Sequence, residues 1–306
     1  MDQLIFPPSL KQGDKVAIIS PSSKFDKALL RDMKKYLESW GLKPVIGKHA
    51  GSASGTYAGT IKQRAGDLQT AMDNEEIKAI FCSRGGYGAV HILDKLDFTR
   101  FKSSPKWLMG FSDITALHNL FQANGYASIH SLMGRHLCVE AKDDPCSMYL
   151  KDMLFGNYPE YTVKPHKLNR AGRAKGILRG GNLSVLYGLR GTPYDIPAEN
   201  TILFVEDVSE RPHCIERIFY NIKLGGILDK LSGIIIGQFT EYEEDKSLGK
   251  ELYAALADIL KGYDFPVCFN FPVGHVTDNV PLICGAEVEF EVGKKGADLK
   301  FIIQKD

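Results

Sequence analysis

The stretch Trp107-Leu108-Met109-Gly110-Phe111-Ser112-Asp113-Ile114-Thr115-Ala116-Leu117-His118 decides how this chain is read. It has the pattern of a short buried strand, a tight turn at Gly110, and a helix starting just after Ser112. That geometry presents one hydroxyl at the end of a sheet, beside the first N–H groups of a helix and the positive end of its dipole. A serine so placed can attack a carbonyl, and a neighbouring N–H can hold the oxyanion that forms. The simpler reading is that Ser112 only caps the helix, since serine is a favoured N-cap. The segment also departs from the G-x-S-x-G elbow, because Ile114 stands where a glycine is required.

Working outward, the first half alternates strand and helix signals. Lys15–Ser20 is a buried strand ending in the turn Pro21-Ser22-Ser23. Asp26 caps a helix that runs to Trp40, with Gly41 as its stop. A strand follows at Lys43–Ile46, then a small-residue loop from Gly51 to Gly59, a helix at Gln63–Met72 and a strand at Ile77–Cys82. Ser83-Arg84-Gly85-Gly86-Tyr87-Gly88 comes next, with a helix expected through Leu93. This rhythm implies a mainly parallel, twisted sheet with helices on both faces, and ligands bound beyond the carboxyl ends of its strands. The Pro21, Gly85-Gly86 and Ser112 turns should all lie at that edge.

The second half has strands at Ala174–Leu178, Thr201–Val205, Gly233–Ile236 and Val267–Phe269. Its helices are expected at Asn182–Leu189, Arg211–Leu224 and Leu248–Leu260, and it closes with alternating tracts at Glu287–Val292 and Leu299–Ile303. The fold class is therefore α/β in two domains. The N-terminal one is expected over residues 1–158, a polar linker over 159–173, and a mixed domain with an antiparallel finish over 174–306.

Two features of the second half carry chemistry. The strand Thr201–Val205 ends in Glu206-Asp207, and a carboxylate there can orient an imidazole. Alternation sends the two side chains to opposite faces, so only one is expected to serve. Pro272-Val273-Gly274-His275 puts a histidine on a glycine-containing loop, a common place for a general base. The Gly85–Gly88 run lacks the lysine of a P-loop and reads as close backbone approach to a ligand. Arg84 can pair with a carboxylate, and Gly180-Gly181-Asn182 offers a second polar anchor.

Composition bounds the remaining classes. The chain has 306 residues, 44% hydrophobic and 25% charged, with a net charge of +1. That is the balance of a soluble globular protein with no electrostatic case for nucleic acid or an anionic membrane. The N-terminus lacks the pattern of a signal peptide and no apolar run spans a bilayer, so a cytoplasmic protein is expected. The six cysteines are scattered without a C-x-x-C pair, and no histidine spacing matches a metal site; no cofactor or metal is expected.

Taken together, Ser83–Gly88, Gly110–His118, Phe204–Val208 and Pro272–His275 closely resemble the serine LD-carboxypeptidases of peptidase family S66, which includes the microcin-immunity enzymes. Gly13–Ala17 and Ser20–Ser23 resemble the family's opening, so the likeness spans nearly the whole chain. The resemblance implies Ser112 as nucleophile, Glu206 as orienting acid and His275 as base. It places the oxyanion hole at the N–H groups of Gly86 and Asp113, with Arg84, Gly85, Gly181 and Asn182 as substrate-binding candidates. It further implies a flavodoxin-like N-terminal domain, a C-terminal domain of swivelling β/α type, a homodimer and a murein peptide substrate. Pro212-His213 departs from the family's proline followed by an aromatic residue. The alternatives are an immunity-type hydrolase of peptidyl or aminoacyl nucleotides and a non-catalytic binding protein for a small peptide or sugar.

Overall fold

The computed structural model describes residues 4–140 and 142–303. The strands, in chain order, begin with β1 (Lys15–Ile19), β2 (Lys43–Ile46), β3 (Ile77–Cys82), β4 (Trp107–Gly110), β5 (Ser128–His130) and β6 (Glu160–Val163). They continue with β7 (Gly172–Asn182), β8 (Thr201–Val208), β9 (Leu231–Thr240), β10 (Val267–Phe269), β11 (Leu282–Cys284), β12 (Glu287–Gly293) and β13 (Gly296–Phe301). The helices are α1 (Lys27–Ser39), α2 (Ile61–Asp73), α3 (Thr115–Ala123), α4 (Pro145–Leu154), α5 (Leu183–Gly188), α6 (Pro212–Leu224) and α7 (Leu252–Leu260).

The chain divides into two compact units. One holds the residues up to Tyr158 together with Thr277–Cys284; the other holds Pro159–Val276 and the residues from Gly285 on. The first sheet runs β11-β5-β4-β3-β1-β2. Its strands β2, β1, β3, β4 and β5 are parallel, in the flavodoxin-like order, and β11 is added antiparallel at the β5 edge. Near-continuous burial of β1, β3 and β4 is what a parallel sheet covered on both faces demands. The expected cap at Asp26 holds, its carboxylate accepting from Ala28 N at the start of α1; α2 starts two residues earlier than expected, on a capping box of Thr60 and Gln63. Ala89–Lys95, expected as a helix, is a 3₁₀ segment instead, entered from Gly88 without a side-chain cap.

The second sheet runs β10-β9-β8-β7-β12-β13-β6. The β7–β10 half is parallel and the β12, β13 and β6 half antiparallel. Helices α5, α6 and α7 pack Leu183, Ile215, Phe219, Leu256 and Ile259 onto Val205, Ile234 and Ile236. Residues 159–173, expected as a linker, belong to this unit and correct that expectation. They carry β6 and the first residues of β7, and Arg170 donates to the carbonyls of Phe265 and Leu260. A four-residue edge strand that buries only Tyr161 is too short to show a period. Among the described residues, no helix is long and apolar enough to cross a membrane.

Candidate active site

In the first unit, β4 delivers Ser112 to the carboxyl edge of the sheet. The chain turns there through a short 3₁₀ segment, Ser112–Ile114, before α3 begins. Ser112 has φ +61°, a left-handed conformation unusual for a residue with a side chain. It makes no capping hydrogen bond to either helical segment. The capping reading therefore falls, and an off-preference backbone at the end of a parallel strand is where strain accompanies function.

Gly85 lies against this serine: a Cβ at Gly85 would stand 2.9 Å from Ser112 Cβ and 3.1 Å from its Oγ. Gly86 has φ +98°, and a Cβ there would meet Ser23 Oγ at 2.3 Å. Ser23 holds the same turn by backbone and side chain, its N–H donating to Gly85 O at 3.2 Å and its Oγ accepting from Tyr87 N at 3.2 Å. The Pro21–Ser23, Gly85–Gly88 and Ser112–Asp113 turns thus share one edge, as expected. Arg84 is exposed, its Nη1 3.4 Å from Lys24 O. Tyr87, 54% exposed, packs with His91 and Tyr57 in an aromatic corner next to the Gly85-Gly86 turn.

Asp113 does more than the backbone role expected of it. Its buried carboxylate accepts from Ser22 Oγ at 2.6 Å and Ala89 N at 2.8 Å. Burial pushes this carboxyl above its ordinary range, while those hydrogen bonds and the nearby Arg64 charge pull it back. His118, at the end of the opening stretch, is fully buried. It bridges Ser128 Oγ and the Gly110 carbonyl at 2.8 and 2.9 Å, and burial pulls it down to about 4, so it is neutral at physiological pH.

In the second unit, Glu206, which is 0% exposed, lies near the carboxyl end of β8, and the loop after β10 carries His275. His275 Nδ1 lies 2.7 Å from Glu206 Oε2. With Nδ1–H donating to the carboxylate, the lone pair sits on Nε2, the tautomer a general base requires. Gly274, at φ +131°, lets the loop pass: a Cβ there would meet Glu206 Cβ at 2.9 Å and Gln238 O at 3.0 Å. Burial opposes the His275 cation, but the hydrogen bond and charge of Glu206, helped by Asp207 and Glu241, outweigh it and hold the imidazole above its ordinary pKa. Burial likewise raises Glu206, against the hydrogen bond from His275. Both partners hold protons more tightly than in water.

The choice between the two acids at the strand end is resolved by partners. Asp207 accepts from Asn182 Nδ2, Ser184 N and Oγ, and Val208 N, so it braces the start of α5. Asn182, expected as a substrate anchor, caps α5 through its Oδ1, is buried against Asp207, and its side chain also hydrogen-bonds Glu206. Gly181 lies beside it in β7, paired with Val205. His213, in the first turn of α6, lines a cavity of about 440 Å³ with Ser209, Glu210, Glu241 and Asp245. No group of three or more His, Cys, Asp or Glu among the described residues is placed to hold a metal ion.

Sequence reasoning missed Arg64, Ser22 and His118. The signal for Arg64 was present: it falls in phase with Leu68 and Ala71 on the buried face of α2, where an unpartnered arginine would not be tolerated.

Comparison with known proteins bears on the same segments. Residues 16–131 match the LD-carboxypeptidase N-terminal domain and residues 175–290 the LD-carboxypeptidase C-terminal domain. A probable murein peptide carboxypeptidase of Bacillus subtilis is 30% identical over 95% of this chain and 93% of its own. The microcin C7 self-immunity protein MccF of Escherichia coli is 28% identical, over 87% of this chain and 86% of its own. The crystal structure of a muramoyltetrapeptide carboxypeptidase from Oxalobacter formigenes superposes with a TM-score of 0.84 at 25% identity, covering 95% of this chain and 100% of that one. The chain belongs to the LD-carboxypeptidase family, peptidase family S66, and is a hydrolase of the serine carboxypeptidase type.

Proposed function

We propose that this protein is a cytoplasmic, homodimeric serine LD-carboxypeptidase that releases the terminal D-alanine from murein tetrapeptides during cell-wall recycling. The observation that carries the chemistry is the buried Glu206–His275 hydrogen bond of 2.7 Å, a base already oriented for its task. In this reading His275 Nε2 takes the Ser112 Oγ proton as Oγ bonds to the scissile carbonyl carbon. The N–H groups of Gly86 and Asp113 hold the resulting oxyanion. As the C–N bond breaks, the imidazolium returns its proton to the leaving amine and D-alanine departs. Water, deprotonated by the same histidine, then releases the acyl-enzyme. Arg84 and the backbone of Gly85 and Gly181 are assigned to the substrate, Arg84 to its terminal carboxylate. The acidic lining of the cavity beside His213 suits the amino group of a diamino acid.

A second reading has one observation in its favour. The Tyr57–Tyr87–His91 corner, with Tyr87 exposed and Tyr57 and His91 half-buried, would serve as a stacking surface for a nucleobase, as an immunity-type hydrolase of aminoacyl nucleotides requires. A side-by-side assay separates them: release of D-alanine from a murein tetrapeptide against hydrolysis of an aminoacyl-sulfamoyl adenylate. Turnover of the tetrapeptide alone supports the first reading; turnover of the adenylate alone replaces it.

A further inference from the structure

Arg64 is 2% exposed, yet it makes no ion pair within 4 Å among the described residues. Its Nη1 donates instead to two backbone carbonyls, Pro21 O and Gly88 O, each at 2.6 Å. Asp113, 4% exposed, takes the residue that follows each of them: Ser22 Oγ at 2.6 Å and Ala89 N at 2.8 Å. Gly88 O and Ala89 N–H are the two ends of one peptide group. The cation grips its carbonyl end and the anion its N–H end, so both charges lie along the dipole of that peptide and favour one orientation of it.

That peptide closes the turn whose Gly85 lies against Ser112 and whose Gly86 rests on Ser23. Gly88 itself has φ +127°, and a Cβ there would stand 3.0 Å from Arg64 Nη1 and 3.0 Å from Tyr57 Cδ1. The guanidinium lies 5.3 Å from the Tyr57 ring centroid, and its Nη2 lies 3.3 Å from His91 Nδ1. Arg64 is thus held on several sides, and the loop after β1, the loop after β3 and the nucleophile turn after β4 all meet on the Arg64–Asp113 pair.

We propose that Arg64 is a positioning residue for acyl transfer: with Asp113 it clamps the Gly88–Ala89 peptide and so fixes the Gly86 N–H relative to Ser112. The inference rests on the serine reading above, with Gly86 as an oxyanion donor. It predicts that losing the guanidinium costs as much as losing a preorganised oxyanion contact, ~10²-fold in the chemical step, without a matching loss of ligand affinity.

The test uses the full-length protein and a fluorophosphonate probe, so it does not depend on the natural substrate. In that reaction a bond forms between Ser112 Oγ and phosphorus, the P–F bond breaks, fluoride leaves, and the Oγ proton passes to the base. Arg64→Met is expected to lower the maximal labelling rate about 10²-fold while the probe's half-saturation concentration stays nearly constant. Methylguanidinium should restore the rate saturably by refilling the space of the lost side chain, and Arg64→Lys should recover part of it. A merely structural role would give neither rescue. Ser22→Ala, which removes one arm of the Asp113 grip, covers the case of an Arg64→Met protein that does not fold; it should label several-fold more slowly. Wild-type labelling rates in folded Arg64→Met, or in Ser22→Ala where Arg64→Met does not fold, would overturn the proposal. So would a loss in Arg64→Met that methylguanidinium leaves untouched and that follows the folded fraction. Wild-type protein that does not label at all contradicts the serine reading itself.

Discussion

The Ser112 turn and the Glu206–His275 pair are built by different means. Around Ser112 the work is done by backbone: a left-handed serine, glycines pressed against side chains, and one peptide gripped at both ends by buried charges. Around His275 it is done by one short side-chain hydrogen bond to a fully buried carboxylate. The first kind of construction resists any added atom, whereas the second resists any change of charge. Substitutions should therefore fail for opposite reasons in the two regions.

The sharpest break is removal of the reacting groups. Ser112→Ala should lower turnover by ~10⁴–10⁶ with an unchanged melting temperature, and His275→Ala should cost a comparable amount. The double variant should be no worse than the singles, because groups that act as a unit are not additive; additive losses measured by kcat would separate the two regions functionally. Next is Glu206→Gln, which keeps the shape but removes the charge that orients the imidazole; kcat should drop by ~10⁴. Wild-type kcat in that variant would assign the orienting role elsewhere.

Steric change belongs to the other region. Gly86→Ala must place a methyl on Ser23 Oγ at a φ of +98°, so kcat should fall by ~10²–10³ and stability by ~1–3 kcal/mol. Asp207→Asn makes the contrast inside the second unit. It should cost about 1.5–3 kcal/mol in thermal or denaturant unfolding, by weakening the charged hydrogen bonds at the start of α5, and leave kcat within a few-fold. A large kcat loss there with intact stability would overturn the division between Glu206 and Asp207.

The smallest effect is a displacement along the pH axis. His275 must be neutral to act as a base, and Glu206 holds its pKa above the ordinary imidazole value. The acid limb of kcat/KM should therefore lie above 6.5, with activity falling as pH drops through it. Residual activity of Glu206→Gln should show that limb moved down. The linkage for stability runs the other way: the contribution of a raised histidine is full below its unfolded pKa and lost as pH rises through the folded one.

What could be read from the sequence follows the same divide. The first sheet was legible because β1, β3 and β4 are apolar runs set off by turn residues, and Ser112, Glu206 and His275 stood out because each follows such a run. Chain-distant pairing was not legible. Residues Leu282–Cys284 return to β5 as an antiparallel edge from more than a hundred residues away, and three residues carry no readable period. Nor does sequence show which of two adjacent acids is already committed; only the partners of Asp207 reveal that Glu206 is left for the histidine. The φ of Ser112 is likewise a property of the assembled turn, not of any local preference, since serine there favours an ordinary cap.

The measurement that bears most directly on the central claim is release of free D-alanine from a murein tetrapeptide, wild type against Ser112→Ala, with a chelator present. The account predicts chelator-resistant release by the wild type and none above background from the variant. Equal release by both proteins would contradict it.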